Sequence, residues 1–253
     1  MSLQTKRNYE ELLSRIKSAL PSPGEYNICG EVKSGNQTFP LIKIIIGKGN
    51  QKRALISAGI HGDEPAGVET ICSFLEQNIF NSFDREWELT LLPCINPTGY
   101  ELNTRENHKG KDLNRLFKID VSCPEILFVK NTFDRPYDLD MELHEDIDTS
   151  GYYLYQKDLT PEPGNLGREI LDSVEKVMRL NSAEEIEGMI AVRGLISRLS
   201  NPREMEWWPM AIYAHFEGCR HCFTLETSPE FSMQVRVEAH LTAVQTALKK
   251  IME

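Results

Sequence analysis

An imidazole and a carboxylate stand three residues apart in Ala58-Gly-Ile-His61-Gly-Asp-Glu64-Pro65-Ala-Gly67, where a short apolar run gives way to a helical pattern. Such strand-to-helix junctions are where open α/β sheets build their sites. Pro65 suits the first helical position and biases Glu64 away from helical dihedrals, so the pair belongs to the turn and not to a helix face. Nitrogen and oxygen donors held this close suit Zn²⁺, which takes imidazole and carboxylate ligands and needs a third from elsewhere. By itself the H-x-x-E pair also reads as a hydrogen-bonded turn histidine beside a helix-capping glutamate.

Further polar groups follow in order: Asn96-Pro-Thr-Gly-Tyr100, Thr104-Arg105, Asp112-Leu-Asn-Arg115, Leu143-His144-Glu145, and Phe223-Thr-Leu-Glu-Thr227 close to the C-terminus. On this ordered set the chain resembles the zinc carboxypeptidase superfamily in its wide sense. That sense takes in the succinylglutamate desuccinylase and aspartoacylase branch and the small bacterial murein-peptide amidases. The shared pattern is H-x-x-E, N-P-x-G-x, an arginine, D-x-N-R, a distant histidine and a strand-borne glutamate. It runs from His61 to Glu226, about two thirds of the chain.

The resemblance implies that His61, Glu64 and His144 ligate one zinc ion per chain, with water in the fourth position of an open, catalytic site. It implies that Asp112 accepts a hydrogen bond from the first histidine, fixing its tautomer; read without the resemblance, Asp112 is an ordinary cap before a short helix. Arg105 matches the arginine that polarises the scissile carbonyl. Asn114 and Arg115 match the pair that grips a free substrate carboxylate, a task suited to a guanidinium fork. Glu226 matches the general base that takes a proton from water and returns it to the leaving amine. Tyr213 precedes Glu226 but matches no family tyrosine, so none is assigned. Asp140, Glu142 and His144 share one face of an alternating strand and need partners if buried. A hydrogen bond from Glu142 to His144, a second metal, or a loop position for Asp140 would each supply an explanation.

The elements that must position these groups are legible in outline. Leu12, Ile16 and Leu20 recur at helical spacing behind Asn8 and Glu11, a capping pattern, and Pro21 stops the helix. Tyr26 to Val32 and Thr38 to Ile46 read as a hairpin. Arg53 to Ala58 reads as a strand, Ala66 to Asn78 as a helix, and Trp87 to Ile95 as a strand ending in the turn signature Asn96-Pro97-Thr98-Gly99. Asp138 to Glu145 alternates, Tyr152 to Gln156 is an aromatic strand, and Thr160-Pro161 opens a helix with Leu166, Ile170, Val174 and Val177 on one face. Residues 181 to 210 read as a long irregular loop over a site. Cys222 to Thr227 is a strand, and Ser228-Pro229-Glu230 caps a final helix carrying Val237, Leu241, Val244, Leu248 and Ile251. Interleaved strands and helices predict an α/β fold, a three-layer sandwich with a central mixed, mostly parallel twisted sheet flanked by helices.

Composition bounds the rest. A chain of 253 residues with 40% hydrophobic and 26% charged residues supports one catalytic domain over residues 1–253. A net charge of −10 repels phosphate backbones and anionic lipid, which argues against nucleic acid and membrane partners. No apolar run approaches the roughly 18 residues a bilayer demands, and no secretory leader is visible, so a cytoplasmic location is expected. Six scattered cysteines read as reduced thiols, the lone C-x-x-C of Cys219 and Cys222 included. The expected function is zinc-dependent cleavage of an amide or peptide bond beside a free carboxylate, on a small peptide or an N-acyl amino acid. The branches compete: the chain's end shortly after Glu226 leaves no room for the extra β domain of aspartoacylases and favours the peptidase, while His108, Lys109, Lys111 and Arg115 suit an anionic substrate. An inactive, ligand-binding relative is the third possibility, and oligomeric state is not legible.

Overall fold

The structure is a computed structural model describing residues 7–120, 122–159, 164–197 and 201–253. Helix α1 (Tyr9–Ala19) is followed by strands β1 (Gly24–Ser34), β2 (Gln37–Ile46) and β3 (Lys52–Ala58), helix α2 (Pro65–Glu76), strand β4 (Trp87–Leu92), and helices α3 (Pro97–Leu102) and α4 (Pro124–Lys130). Strands β5 (Leu139–Glu145) and β6 (Tyr153–Asp158), helix α5 (Leu166–Val174), and the short strands β7 (Glu185–Ile186), β8 (Met189–Ile190) and β9 (Leu195–Ile196) come next. Helix α6 (Met210–Phe216), strand β10 (His221–Thr227) and helix α7 (Met233–Met252) complete the order.

Among the described residues one eight-stranded sheet runs β1-β2-β4-β3-β5-β10-β6-β9. Its centre, β4-β3-β5-β10, is parallel, and the β1-β2-β4 flank and the β10-β6 pair are antiparallel. This is the mixed, mostly parallel sheet expected from the sequence. Helices α2, α5 and α7 pack together on one face. Helix α6 lies on the other, where Ser57 Oγ meets Met210 Sδ at 3.9 Å. Every residue of β5 is buried, as a central strand covered on both faces requires. No described helix is long and apolar enough to cross a membrane.

Local chemistry accounts for most boundaries. Asn8 Oδ1 accepts the Glu11 N–H at 3.1 Å, and Tyr9, Leu12 and Ile16 bury the inward face of α1. The tight β1–β2 hairpin turns at Gly35, whose φ of 59° favours glycine. Three expectations change. Asn96-Pro97-Thr98-Gly99 is not a free turn: Asn96 Oδ1 accepts the Gly99 N–H at 2.9 Å and caps α3, with Pro97 in the first turn. The final helix is capped by Ser232, not Ser228. Glu230 is tied to Ser150 Oγ, the Gly151 N–H and Arg179, so residues 228–231 are held as a turn against the loop after β5. Residues 181–197 are less irregular than expected, forming the β7–β8 hairpin and edge strand β9. The helix opening read at Thr160-Pro161 lies outside the described residues, and α5 begins at Leu166.

The main core lies between the sheet and its helices, filled by Trp87, Leu89, Leu91, Met141, Phe223 and Leu225 among others. A separate small cluster of Tyr153, Ile186, Ala191 and Ile196 seats the β7–β8 hairpin. Helix α2 approaches β5 so closely that a Cβ on Gly67 would stand 2.6 Å from the Leu143 carbonyl oxygen and 2.8 Å from Leu143 Cβ. Gly67→Ala therefore forces helix and strand apart, and chemical denaturation should register a loss of about 1–3 kcal/mol despite alanine's better helix propensity.

Candidate metal centre and active site

The parallel strands β3 and β5 end side by side, with Ala58 registered against Leu143. His61 and Glu64 leave the end of β3 on the turn into α2, and His144 sits near the end of β5. Three links hold the turn. Gly62 N–H donates to the Arg105 carbonyl at 3.4 Å, Asn96 N–H to the Gly59 carbonyl at 2.8 Å, and Ile95 N–H to the Ala58 carbonyl at 3.1 Å. A Cβ on Gly62 would fall 1.9 Å from the Gly99 carbonyl carbon, so the H-G-D-E segment can lie against the N-P-T-G backbone only because residue 62 is a glycine.

Glu64 is the hub. Its Oε1 lies 2.6 Å from His61 Nδ1 and its Oε2 lies 2.8 Å from His144 Nδ1. The three side chains are buried, and one donor atom from each lies within 4.8 Å of the others. Burial resists ionisation of Glu64, yet the two imidazoles draw its pKa down to about 2. Burial likewise disfavours a charged His144, but Glu64 and Glu142 raise its pKa well above the ordinary imidazole value. Two imidazole nitrogens and a carboxylate oxygen, buried and convergent, are a donor set that fits a borderline transition-metal ion.

Asp112 meets this group from behind. It caps the short 3-10 turn Leu113–Arg115, and its Oδ1 lies 3.2 Å from His61 Nε2, so it serves both as cap and as imidazole partner. Although burial opposes it, His61 and Arg105 hold the Asp112 carboxyl well below the usual carboxylate range. Arg105 donates from Nε to Asp112 Oδ2 at 3.1 Å and from Nη1 to Glu64 Oε1 at 3.4 Å. Arg115 Nε stands 3.2 Å from the same Asp112 oxygen, with its guanidinium 5.1 Å from the Trp207 ring centroid. Asn114 Oδ1 is engaged by the Met210 N–H at 2.9 Å, tying the D-L-N-R segment to the start of α6.

Glu226 reaches the site through the sheet. Parallel pairing registers it against His144 and antiparallel pairing against Tyr153. Its Oε2 is buried with no hydrogen-bond partner among the described residues. Burial pushes its carboxyl well above the ordinary value, with His144 opposing and Glu64 reinforcing the shift.

These groups share one cavity of about 500 Å³, lined by His61, Glu64, Arg105, Asp112, Asn114, Arg115, His144 and Glu226. The cavity thus brings together the ligand, base, arginine and carboxylate-gripping candidates named from the sequence. Of the basic cluster only Arg115 is in the wall, since residues 107–111 close a separate turn around Asn107 Oδ1. The irregular stretch contributes Glu187, Met189, Met205 and Trp207 to the wall, as expected of a segment lying over a site. Asp140 is strand and not loop. Both its carboxylate oxygens and both of Glu142 are buried without hydrogen-bond partners among the described residues, and His144 Nε2 stands 3.8 Å from Glu142. The only described cluster that could hold a metal is His61, Glu64 and His144, so the second-metal explanation gains nothing.

Sequence reasoning missed the tyrosines. Tyr153 and Tyr155 line the cavity, donating to Asp146 Oδ2 at 2.7 Å and to Glu187 Oε2 at 2.8 Å. Their period-two spacing was visible, but not which face of the strand would be turned to the cavity. Tyr213 instead packs on Phe117 and Phe133 away from the wall. His240 was read past because it interrupts an apolar helix face. It is buried, with Nε2 at 3.1 Å from the His144 carbonyl oxygen and Nδ1 at 3.2 Å from Tyr152 Oη. A neutral ring donating from Nε2 and accepting at Nδ1 satisfies both contacts.

Fold and donor set together define an α/β protein with a transition-metal-type site at the ends of its parallel strands. Residues 50–162 match the model of the succinylglutamate desuccinylase/aspartoacylase catalytic domain. Over 78 residues the chain is 37% identical to murein peptide amidase A of Escherichia coli (strain K12), a stretch covering 31% of this chain and 31% of that protein. Among solved structures, one assigned as a metallopeptidase from Shewanella amazonensis superposes with a TM-score of 0.78 at 22% identity, over 96% of this chain and 91% of that one. A metallo-carboxypeptidase from Burkholderia cenocepacia gives 0.73 at 15% identity, over 98% and 70%. At these identities the structural likeness is one of fold. Residues 50–162, under half of the chain, are thus similar to the succinylglutamate desuccinylase/aspartoacylase catalytic domain, and the fold is the one seen in the metallo-carboxypeptidase structures.

Burial, reinforced by the charges of His144 and Arg236 and opposed by the hydrogen bond to the His144 carbonyl and by Glu64, lowers the His240 pKa to about 3, against about 6.5 in an unfolded chain. As pH falls below about 6.5 the unfolded state takes up a proton that the folded state refuses, so this contribution to stability is present above 6.5 and lost towards 3. The stability difference between wild type and His240→Gln should therefore narrow on acidification, as read from urea unfolding at pH 7.5 and 5.5.

Proposed function

We propose that the chain is a zinc-dependent hydrolase that cleaves an amide or peptide bond beside a free carboxylate, with its 253 residues acting as one catalytic domain. The observation that carries this reading is Glu64 bridging the Nδ1 atoms of His61 and His144 at 2.6 and 2.8 Å, with Asp112 on the far nitrogen of His61. His61, Glu64 and His144 would hold the ion, which when bound supplies Lewis acidity and makes water easier to deprotonate. Asp112 keeps His61 in the tautomer that leaves Nδ1 free for the ion.

The remaining groups divide the work by position. Glu226 accepts a proton from the attacking water and passes it to the departing amine, a role suited to a carboxyl whose environment strengthens its hold on a proton. Arg105 places positive charge where the carbonyl oxygen becomes an oxyanion. Arg115 binds the free carboxylate through its fork, and Asn114 offers its amide nitrogen, its oxygen being occupied by Met210. Both arginines rest on Asp112 through Nε, which leaves their terminal nitrogens unused by that carboxylate. A second reading, hydrolysis of an N-acyl amino acid, is favoured by the family model matched over residues 50–162.

Purified protein should carry about one equivalent of zinc by elemental analysis, and His61→Ala should lose it. Wild-type protein supplied with zinc that retains no transition metal would sink the hydrolase reading. Glu226→Gln should keep the metal yet lower kcat by about 10²–10⁴-fold. Turnover of peptides with free against amidated C-termini, beside a panel of N-acyl amino acids, separates the two substrate readings: a peptidase discriminates the first pair, a deacylase hydrolyses only the second panel.

A further inference from the structure

Glu64 occupies the N-cap position of α2, where a side-chain oxygen ordinarily accepts the N–H of the second or third helical residue. It makes no such bond. Pro65, the first helical residue, has no N–H to satisfy, so Ala66 N–H is the first donor of the helix. That donor is taken by the carboxylate of Glu145, a residue 79 positions later in the chain.

Glu145 follows His144 at the end of β5, and strand alternation turns its side chain to the α2 side of the sheet. Its backbone N–H donates to Glu64 Oε2 at 3.2 Å, so main chain and side chain of one residue bind both sides of the Glu64-Pro65-Ala66 turn. The carboxylate also accepts from Arg236 Nη1 of α7. Side-chain exposures are 2% for Glu145 and 12% for Arg236. Arg236 stands near the N-terminus of its helix, where a cation opposes the helix dipole. A nearly buried pair in that setting gains little stability for the desolvation it costs, so its value lies in geometry.

We propose that Glu145 is a substitute cap for α2, held and neutralised by Arg236, and that this couple releases the Glu64 carboxylate to face His61 and His144. Glu145 and Arg236 are positioning residues for the ligand set. Without the substitute, Glu64 would be drawn back onto Ala66 N–H as an ordinary cap. Without Arg236, a second uncompensated carboxylate would stand beside Glu64. The inference rests on the metal-site reading above, and it assigns to α7 a part in that site that no ligand motif contains.

The test compares zinc affinity, by competition with a chromophoric chelator, among wild type, Glu145→Ala, Glu145→Gln, Arg236→Met and Arg236→Lys, each with a melting curve. Glu145→Ala and Arg236→Met should weaken zinc binding by roughly 10–100-fold at temperatures far below melting. Arg236→Lys should restore most of it, and Glu145→Gln, which still accepts from Ala66, should fall between. Affinities within about twofold of wild type with only melting lowered would reduce the pair to a structural contact and overturn the proposal. Should Glu145→Ala or Arg236→Met fail to fold, Glu145→Gln decides by the same measure. If wild type binds no zinc, the hydrolase reading falls, and the couple is judged on metal-free protein by hydrogen exchange of the Glu145 amide. Faster exchange of that amide in Arg236→Met supports the tether to Glu64, and unchanged protection overturns it.

Discussion

The site depends on one buried carboxylate. Burial of an ionised glutamate is costly unless it is fully partnered. Glu64 meets that demand with two imidazoles, the Glu145 N–H and the edge of Arg105. These four partners come from three segments: the turn after β3, the end of β5, which supplies both His144 and Glu145, and the loop after α3. Satisfying one side chain therefore fixes the relative positions of three parts of the chain. The same convergence is the donor set that would hold the proposed ion.

The sheet supplies the remaining alignment. Parallel pairing of β5 with β10 registers His144 against Glu226, and antiparallel pairing of β10 with β6 sets Tyr153 on the other side. A slip of one residue would turn any of these side chains to the opposite face. The unbroken burial of β5 and the apolar face under α2 exclude such a slip, so core packing and site geometry are set by the same register.

The polar face toward α6 is less economical. Asp140 and Glu142 are buried beside His144 without hydrogen-bond partners among the described residues, and burial pushes both carboxyls upward, towards the neutral form in which a carboxyl is least expensive to bury. Against that rigid interior, the cavity's outer wall is built from the β7–β8 hairpin and the segment before α6. The hairpin rests on its own small apolar cluster. A wall seated apart from the main core can vary without disturbing the strand ends, which is where differences in substrate preference can arise between relatives of one fold.

The ordered polar motifs, the amphipathic helices and the alternation of strands are local facts, and they were legible without a structure because each depends on spacing along a few residues. Thus α1 with its Asn8 cap could be foreseen from spacing, whereas His61, Glu64, Asp112, His144 and Glu226 could be named only through the resemblance of their ordered set to a known family. Other features are decided by neighbours distant in sequence. Asn96 caps a helix where a turn was expected, Ser232 replaces Ser228 because Glu230 is anchored to Ser150 and Arg179, and Tyr153 and Tyr155 face the cavity while Tyr213 does not. The roles of Glu145, Arg236 and His240 are written in no motif, since their partners lie 79 to 96 residues away. Residue types and short spacings determine what chemistry is available. Strand register and helix docking decide which groups meet, because hydrogen bonds and buried charges are satisfied in space and not along the chain.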